Sequence, residues 1–531
     1  MQHSLPATPA RRPRRLTIAA ACASALVLAL GHVPTASAKT TEPSTTRVSV
    51  TTGGFHPGHG SNLRNRAGER RTVSANGRYV VLEGYSPLVK GQKQLELQIV
   101  LRDRKLGTTT LVSKSSKGRK ANGSSHNPQI SANGRWIAFE SRATNLVPRD
   151  SNGVSDVFLH DTRTGTTTRV SVDAAGKQVK GVHGSLNPSL SANGRFVSYI
   201  SDAAGLAAGD DTSNQAYVYD RSTKTTELVS VDSDGFAVPA MDSTSVSNDG
   251  TIVAFVSLKG NANPQLYVRD RSARTTTSYE PDDHHRAYSP TTSSDGRYIA
   301  YATNAPLDPA DTNTTEDIYV LDVKTGRHTL ASRSTAGRVG ATASIHPAIS
   351  ADGRFVVFQS AASNLVAKDS NKDSDVFRHD LRTGTTVRVS VRNNGKQVKT
   401  ASYSGSVNAN GKHVVFESYG RNITQLTTGT WAQVYVRSFD KKYPALEAKT
   451  RKFASKVKPG KTLTIKTKGI AKGQKLVVKL KPRGTTSGKT VTRTVKVAKS
   501  RIKIKAPRSG TYTLTVKYDR FQLAKKKLTV R

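Results

Sequence analysis

Ile349-Ser350-Ala351-Asp352-Gly353-Arg354-Phe355-Val356-Val357-Phe358, followed after a polar loop by Asp375-Val376-Phe377-Arg378-His379-Asp380, decides how this chain folds. A tight Asp-Gly turn separates a short apolar run from an alternating one, and a third run follows. The turn recurs along the chain. It reads Ser-Ala-Asn-Gly-Arg at Ser74 to Arg78, Ser131 to Arg135 and Ser191 to Arg195. Variants begin at Ser247, Ser293 and Asn408, and successive copies start 57, 60, 56, 46, 57 and 58 residues apart. A period of that length marks radial or solenoid repetition, in which no unit can bury its own apolar face alone.

One period reads as four antiparallel strands. In the third repeat these are Pro188 to Ser191, Phe196 to Ile200, Ala216 to Asp220 and Thr225 to Val231. Four such strands describe a propeller blade. The last repeat has Val414 to Ser418 and Val434 to Phe439 but no clear fourth strand. Thr45-Thr46-Arg47-Val48-Ser49-Val50 matches Thr167-Thr168-Arg169-Val170-Ser171-Val172, a fourth strand elsewhere, and is expected to complete the final blade and remove its open edge. The expectation is an all-β chain, a seven-bladed β-propeller over 39–443 closed by an N-terminal strand, then a small β-sandwich over 447–531. The 46-residue spacing implies a shortened connection near the fifth repeat.

These residues resemble the TolB-type, WD-like propeller repeat over roughly 44 to 440. This chain carries Ile349 and Ala351 where that family often has Trp and Pro. TolB is a periplasmic part of an envelope assembly, with fewer blades and an N-terminal domain not seen here. The resemblance implies an extracytoplasmic interaction propeller rather than membership of that system.

The start of the chain reads as an export signal over 1–38. Arg11, Arg12, Arg14 and Arg15 precede the apolar stretch Leu16 to Leu30, and Ala36-Ser37-Ala38 offers cleavage before Lys39. Arg14-Arg15-Leu16 is a partial twin-arginine pattern, so the route is general secretion or twin-arginine export. The one cysteine, Cys22, lies inside the signal, which leaves the mature protein without disulfides, cysteine metal sites or thiol catalysis. No later apolar run reaches transmembrane length. A secreted, extracellular or cell-wall location follows.

Formal net charge is +43 in 531 residues, which attracts polyanions. Export and a 6% aromatic content argue against nucleic acid and toward anionic cell-wall polymers, acidic polysaccharides or lipid headgroups. The charge is uneven: residues 447–531 hold 27 Lys or Arg against Glu447 and Asp519 alone. Runs such as Leu476-Val477-Val478-Lys479-Leu480 and Tyr512 to Val516 read as sandwich strands. Pro507 to Tyr512 resembles the approach to a late strand in bacterial immunoglobulin-like modules. Either the lysines secure solubility or they anchor the module to an envelope polymer.

Two constellations fall on the face that carries the long connections. Asp150, Asn152 and Asp156 recur as Asp311, Asn313 and Asp317 and as Asp369, Asn371 and Asp375, with a degraded copy at Asp210 and Asp211 ending in Gln215. Oxygen ligands at alternate positions could hold calcium, but the spacing is not that of an EF-hand, and Asp and Asn also brace turns. The second set is His126-Asn127-Pro128, His183 with Asn187-Pro188, His284-His285 with Tyr288, and His346-Pro347, expected to line the channel mouth. They could bind a transition metal, act as acid–base groups, or satisfy backbone groups at the entrance.

No Gly-x-Ser-x-Gly elbow, His-Glu-x-x-His helix or phosphate loop occurs, and 447–531 is too short and strand-like for a peptidase domain. The reading is an exported, non-catalytic propeller that binds a protein or glycan by its loop face, with no cofactor required and calcium the one candidate. The alternative is a metal-assisted polysaccharide lyase or hydrolase using the channel, which rests on fold analogy.

Overall fold

The structure is a computed structural model that describes residues 43–50, 52, 71–84, 88–89, 97–258, 263–279, 284–420, 423–424, 432–440, 449–450, 456–458, 462–468, 475–483, 490–496, 501–505, 509–518 and 521–530. Among them there are strands and no helix. Up to residue 440 they form six four-stranded antiparallel sheets and one of three strands. The architecture is a β-propeller: each sheet follows the last in sequence, and the innermost strands share one channel.

The third repeat shows how sequence becomes sheet. Ser185–Leu190 pairs with Phe196–Ser201, which pairs with Gln215–Asp220, which pairs with Thr225–Leu228. The two middle strands are buried along their whole length because neighbouring sheets cover both faces. Tyr199 and Tyr217 face each other across the strands with ring centroids 5.7 Å apart. The same cross-strand pair recurs as Phe139–Phe158 at 5.8 Å, Phe358–Phe377 at 5.8 Å and Phe416–Tyr435 at 5.6 Å. Each pair contributes roughly 0.5–1.5 kcal/mol beyond its buried area. The clusters they anchor reach across sheets, as where Val157 and Leu159 pack with Val197, Tyr199 and Tyr217.

The recurring turn is a hydrogen-bonded unit. The Ser131 hydroxyl donates to Asn133 Oδ1 at 2.8 Å, the Arg135 N–H donates to the same oxygen at 2.9 Å, and the Trp136 N–H donates to Ser131 Oγ at 2.9 Å. Arg135 then pairs with Asp161 at 2.7 Å, at the end of the third strand. Arg78–Asp103, Arg195–Asp220, Arg297–Asp322 and Arg354–Asp380 repeat that link at 2.7, 2.6, 2.8 and 2.5 Å. Both short turns of a sheet therefore lie on one face, and the long connections lie on the other.

Glycine is required in this turn for two reasons. Gly194 has φ +73°, and a Cβ there would fall 2.4 Å from Trp136 of the preceding sheet. The remaining motif glycines meet Tyr79, Phe196, Ile252, Tyr298 and Phe355 in the same way, and Gly77 meets His413 of the last sheet. Turn backbones also bond in succession, Ala75 N–H to Ala132 O and Ala132 N–H to Ala192 O, while Asn408 Nδ2 donates to Ala75 O.

The N-terminal segment lies on the last sheet. Ser44–Arg47 pairs antiparallel with Gln433–Ser438, Thr46 opposite Val436, and the Val48 N–H donates to Val434 O. Val48 joins Val80, Leu82 and Val100 of the first sheet and Val415, Val434 and Val436 of the last in one apolar cluster. The 46-residue period lies between the motifs at Ser247 and Ser293. There Ile252–Leu258 is followed by Pro264–Asp270, a much shorter connection than that between Phe196–Ser201 and Gln215–Asp220.

Beyond residue 448 the strands form a three-stranded sheet, ordered Lys449–Thr450, Thr462–Lys468, Arg501–Lys505. A five-stranded sheet is ordered Lys456–Val457, Phe521–Val530, Gly510–Tyr518, Lys475–Pro482, Val491–Lys496. Val478, Leu480, Tyr512 and Val530 are buried.

Candidate functional site at the long-loop mouth

The innermost strands do not run straight into the channel. Ser125–Ile130, Ser185–Leu190, Ala240–Val246, Ala287–Thr292 and Ser344–Ile349 each shift register midway. Each bulge holds a non-glycine residue in the left-handed region: Asn127, Asn187, Asp242, Ser289 and His346, with φ from 53° to 66°. Such a conformation costs about 1–3 kcal/mol and persists only where its surroundings hold it.

At Asn127, Asn187 and Ser289 a carboxylate from the preceding sheet holds it. The Asn127 N–H donates to Glu83 Oε1 at 2.7 Å, and the Asn187 N–H donates to Glu140 Oε2 at 2.6 Å. Side chains extend the link around the mouth. Asn127 Nδ2 donates to Asn187 Oδ1 at 3.0 Å, Asn187 Nδ2 to Asp242 O at 2.7 Å, and the Ser289 N–H to Asp242 Oδ2 at 3.3 Å. Glu83 is fully buried, 3.6 Å from His126 Nδ1. Burial pushes its carboxyl up, partly offset by His126.

The sequence-derived set thus divides. Asn127 and Asn187 are brought into contact, and His126 lies beside Glu83. His346 occupies a left-handed bulge position, and burial holds its imidazole below the usual histidine range. Tyr288 is on an innermost strand, half-buried, one residue before Ser289. His183 is not on an innermost strand: it sits in the preceding loop, 73% exposed, with Nδ1 2.9 Å from Asp202. His284 and His285 also precede their strand, Ala287–Thr292. Glu83, Glu140, Asp242 and Ser289 were not anticipated. A signal for the glutamates existed: Glu83, Glu140 and Glu417 hold the same place in the second strand, where other repeats have Ile200, Val256 or Ala302.

The Asp/Asn loops are engaged by the protein's own groups. Asp156 lies 3.1 Å and Asp150 3.4 Å from Arg169 Nη1, and Gln178 Nε2 donates to both, at 2.7 and 2.9 Å. Asp369 and Asp375 meet Arg388 and Gln397 in the same way. Asn152 and Asn371 point their amides at Asp156 and Asp375. In the third copy Leu330 and Val339 replace the arginine and glutamine. Asp311 takes the Tyr319 hydroxyl at 2.7 Å, and Asp317 takes Ser332 Oγ and Asn313 Nδ2. Burial pushes Asp317 up to about 7 and Asp375 to about 6. Asp210 accepts backbone N–H groups of Gly205 and Ala207. Among the described residues no group of three or more His, Cys, Asp or Glu is placed to hold a metal ion. Calcium would fit the oxygen chemistry of these loops, but in two of them its ligands are already bonded to a guanidinium. The mouth is braced by oxygen acceptors and amides.

No family model matches the chain, and no curated protein does. Solved structures resemble it at low identity. Oligogalacturonate lyase in complex with manganese is 12% identical over 75% of this chain and 94% of its own, with a TM-score of 0.44. TolB from Acinetobacter baumannii is 16% identical over 70% and 82%, with a TM-score of 0.35. The β-propeller domain of the Trilobed protease from Pyrococcus furiosus is 9% identical over 76% and 97%, with a TM-score of 0.39. At that distance the fold rests on this chain's own strand pairing.

Proposed function

We propose that the protein is an exported, non-catalytic, seven-bladed β-propeller that binds a protein or glycan through its long-loop face. Residues 447–531 would form a basic, immunoglobulin-like sandwich that holds it against anionic cell-envelope polymer. The seven-blade reading takes Thr72 and Val73, which bond to Val81 and bridge to Val80, as the inner edge of the first sheet. The chain of glycine contacts from sheet to sheet, ending with Gly77 on His413, supports a closed ring.

The observation that carries the functional reading is that mouth groups of catalytic type are spent on structure. Glu83 and Glu140 cap backbone N–H groups of strained residues, and Asn127 and Asn187 bond to each other and onward. A rigid rim with variable loops is the usual platform for recognition. No helix among the described residues is long and apolar enough to cross a membrane. Export would put the positive charge of 447–531 beside wall polymer.

Two measurements test this. Pelleting of the chain beginning at Lys39 with purified anionic wall polymer should fall steeply between 50 mM and 500 mM salt; salt-insensitive or absent binding removes the anchoring role. Incubation with uronic-acid polysaccharides, with and without manganese or calcium, should release no unsaturated or reducing ends. Release lost on substituting Glu83→Gln or His126→Ala would establish the lyase or hydrolase reading instead.

A further inference from the structure

A second site lies in the channel at the opposite end from the long loops. The last residues of the innermost strands enclose a cavity of about 30 Å³ there, large enough for small polar occupants. Among the described residues, Arg71 is the one ionisable group that lines it, and no carboxylate does. Arg71 stands in the first repeat where Pro128 and Pro188 stand in the second and third. Its guanidinium donates to Leu190 O at 3.3 Å and makes no ion pair with any described residue. The residue is half-buried against the channel, and burial of its guanidinium lowers its pKa to about 10. A cation held partly out of water, with no counter-ion among the described residues, favours an anion beside it.

The rest of the lining is set to donate. Thr291 Oγ1 accepts the Ile349 N–H at 3.2 Å, and Ser406 Oγ accepts the Thr72 N–H at 3.0 Å, so each hydroxyl keeps its proton for the channel. Gln129 Oε1 accepts the Leu190 N–H at 3.1 Å, which leaves Nε2 as a donor. Ser189 adds a hydroxyl beside Leu190. One positive charge, surplus donors and no acid form the complement of an oxyanion.

We propose that this end of the channel binds a single oxyanion, a carboxylate or phosphate group, on Arg71 with Gln129, Thr291 and Ser406 as neutral donors. The site is separate from the loop face and stands whether or not that face binds a partner.

The test is thermal melting and calorimetry of the chain beginning at Lys39 with inorganic phosphate, acetate or glucuronate, at constant ionic strength set by sodium chloride. Wild type should show a saturable rise in Tm with at least one probe. Arg71→Gln should melt at or above the wild-type temperature without ligand and bind at least about tenfold more weakly, the loss expected for one charge-assisted contact. Ser189→Asp, which supplies a carboxylate inside the cavity, should raise Tm and abolish the response. Tighter binding of glucuronate than acetate would indicate the acid group of a sugar, and equal binding a free anion. No response in wild type would overturn the site, and so would an undiminished response in either variant, since the anions would then be binding elsewhere, as on the basic strands beyond residue 448.

Discussion

Gly194→Ala separates what the fold demands of a turn from what it demands of a ring. Gly194 and Gly165 have nearly the same backbone, φ +73° and +78°, but different surroundings. A Cβ at Gly165 meets nothing within 4 Å, whereas one at Gly194 falls 2.4, 2.6 and 2.8 Å from Trp136 Cδ1, Cγ and Cβ. Those atoms are near the root of the tryptophan, and its ring lies under Arg135 and Arg221, whose guanidinium carbons are 4.7 and 4.1 Å from the centroid. Trp136 therefore cannot step aside without moving its strand. Placing alanine in the left-handed region costs about 1 kcal/mol at either site. Overpacking adds about 1–3 kcal/mol at Gly194 alone, for a total of roughly 2–4 kcal/mol. Urea titration followed by tryptophan fluorescence should rank the midpoints wild type, then Gly165→Ala, then Gly194→Ala. Equal losses in the two variants would refute the claim that the motif glycine exists to seat the neighbouring sheet.

Further outcomes concern charge. The Arg135 hydrogen bond holds Asp161 down at about 2, and Arg354 does the same for Asp380. These carboxylates stabilise the fold above their unfolded value near 4, and that contribution is lost as pH falls toward 2. Melting temperature should drop across that interval, and Arg354→Gln should flatten part of the drop. Asp317 has the opposite sign: burial raises it to about 7, so its contribution is complete below about pH 4 and lost as pH rises through 7. Asp317→Asn should melt progressively higher than wild type between pH 5 and 8, as measured by calorimetry. Arg388→Leu, imitating Leu330, strands Asp369 and Asp375 and should cost about 3–5 kcal/mol at pH 8 in the same assay.

The fold was legible because its signal repeats. An Asn-Gly or Asp-Gly turn forces positive φ, and the alternation of Phe355 to Phe358 makes the following strand, so each copy reports the same local structure. Thr45 to Val50 could be placed on the last sheet because it repeats Thr167 to Val172. The site was only half legible. Asn127 and His346 drew notice as polar groups before proline, but their left-handed backbone depends on the opposing strand. The role of Glu83 depends on a residue 44 positions away in the next sheet, a distance no local pattern spans. His183, four residues before Asn187, lies on the loop ahead of the strand, and its hold on Asp202 has no local sequence signal. The difference between Leu330 and Arg169 was present in the sequence, but its meaning required knowing that this position faces the Asp/Asn loop.

Closure of the sheets into a ring is best tested by cysteines at Thr46 and Val436 in the chain beginning at Lys39, which has no other thiol. These positions face each other in the antiparallel pair and are within disulfide reach. Mild oxidation should join them within one chain and raise Tm, with the link mapped by mass spectrometry. Free thiols, or a bridge formed only between two chains, would contradict it.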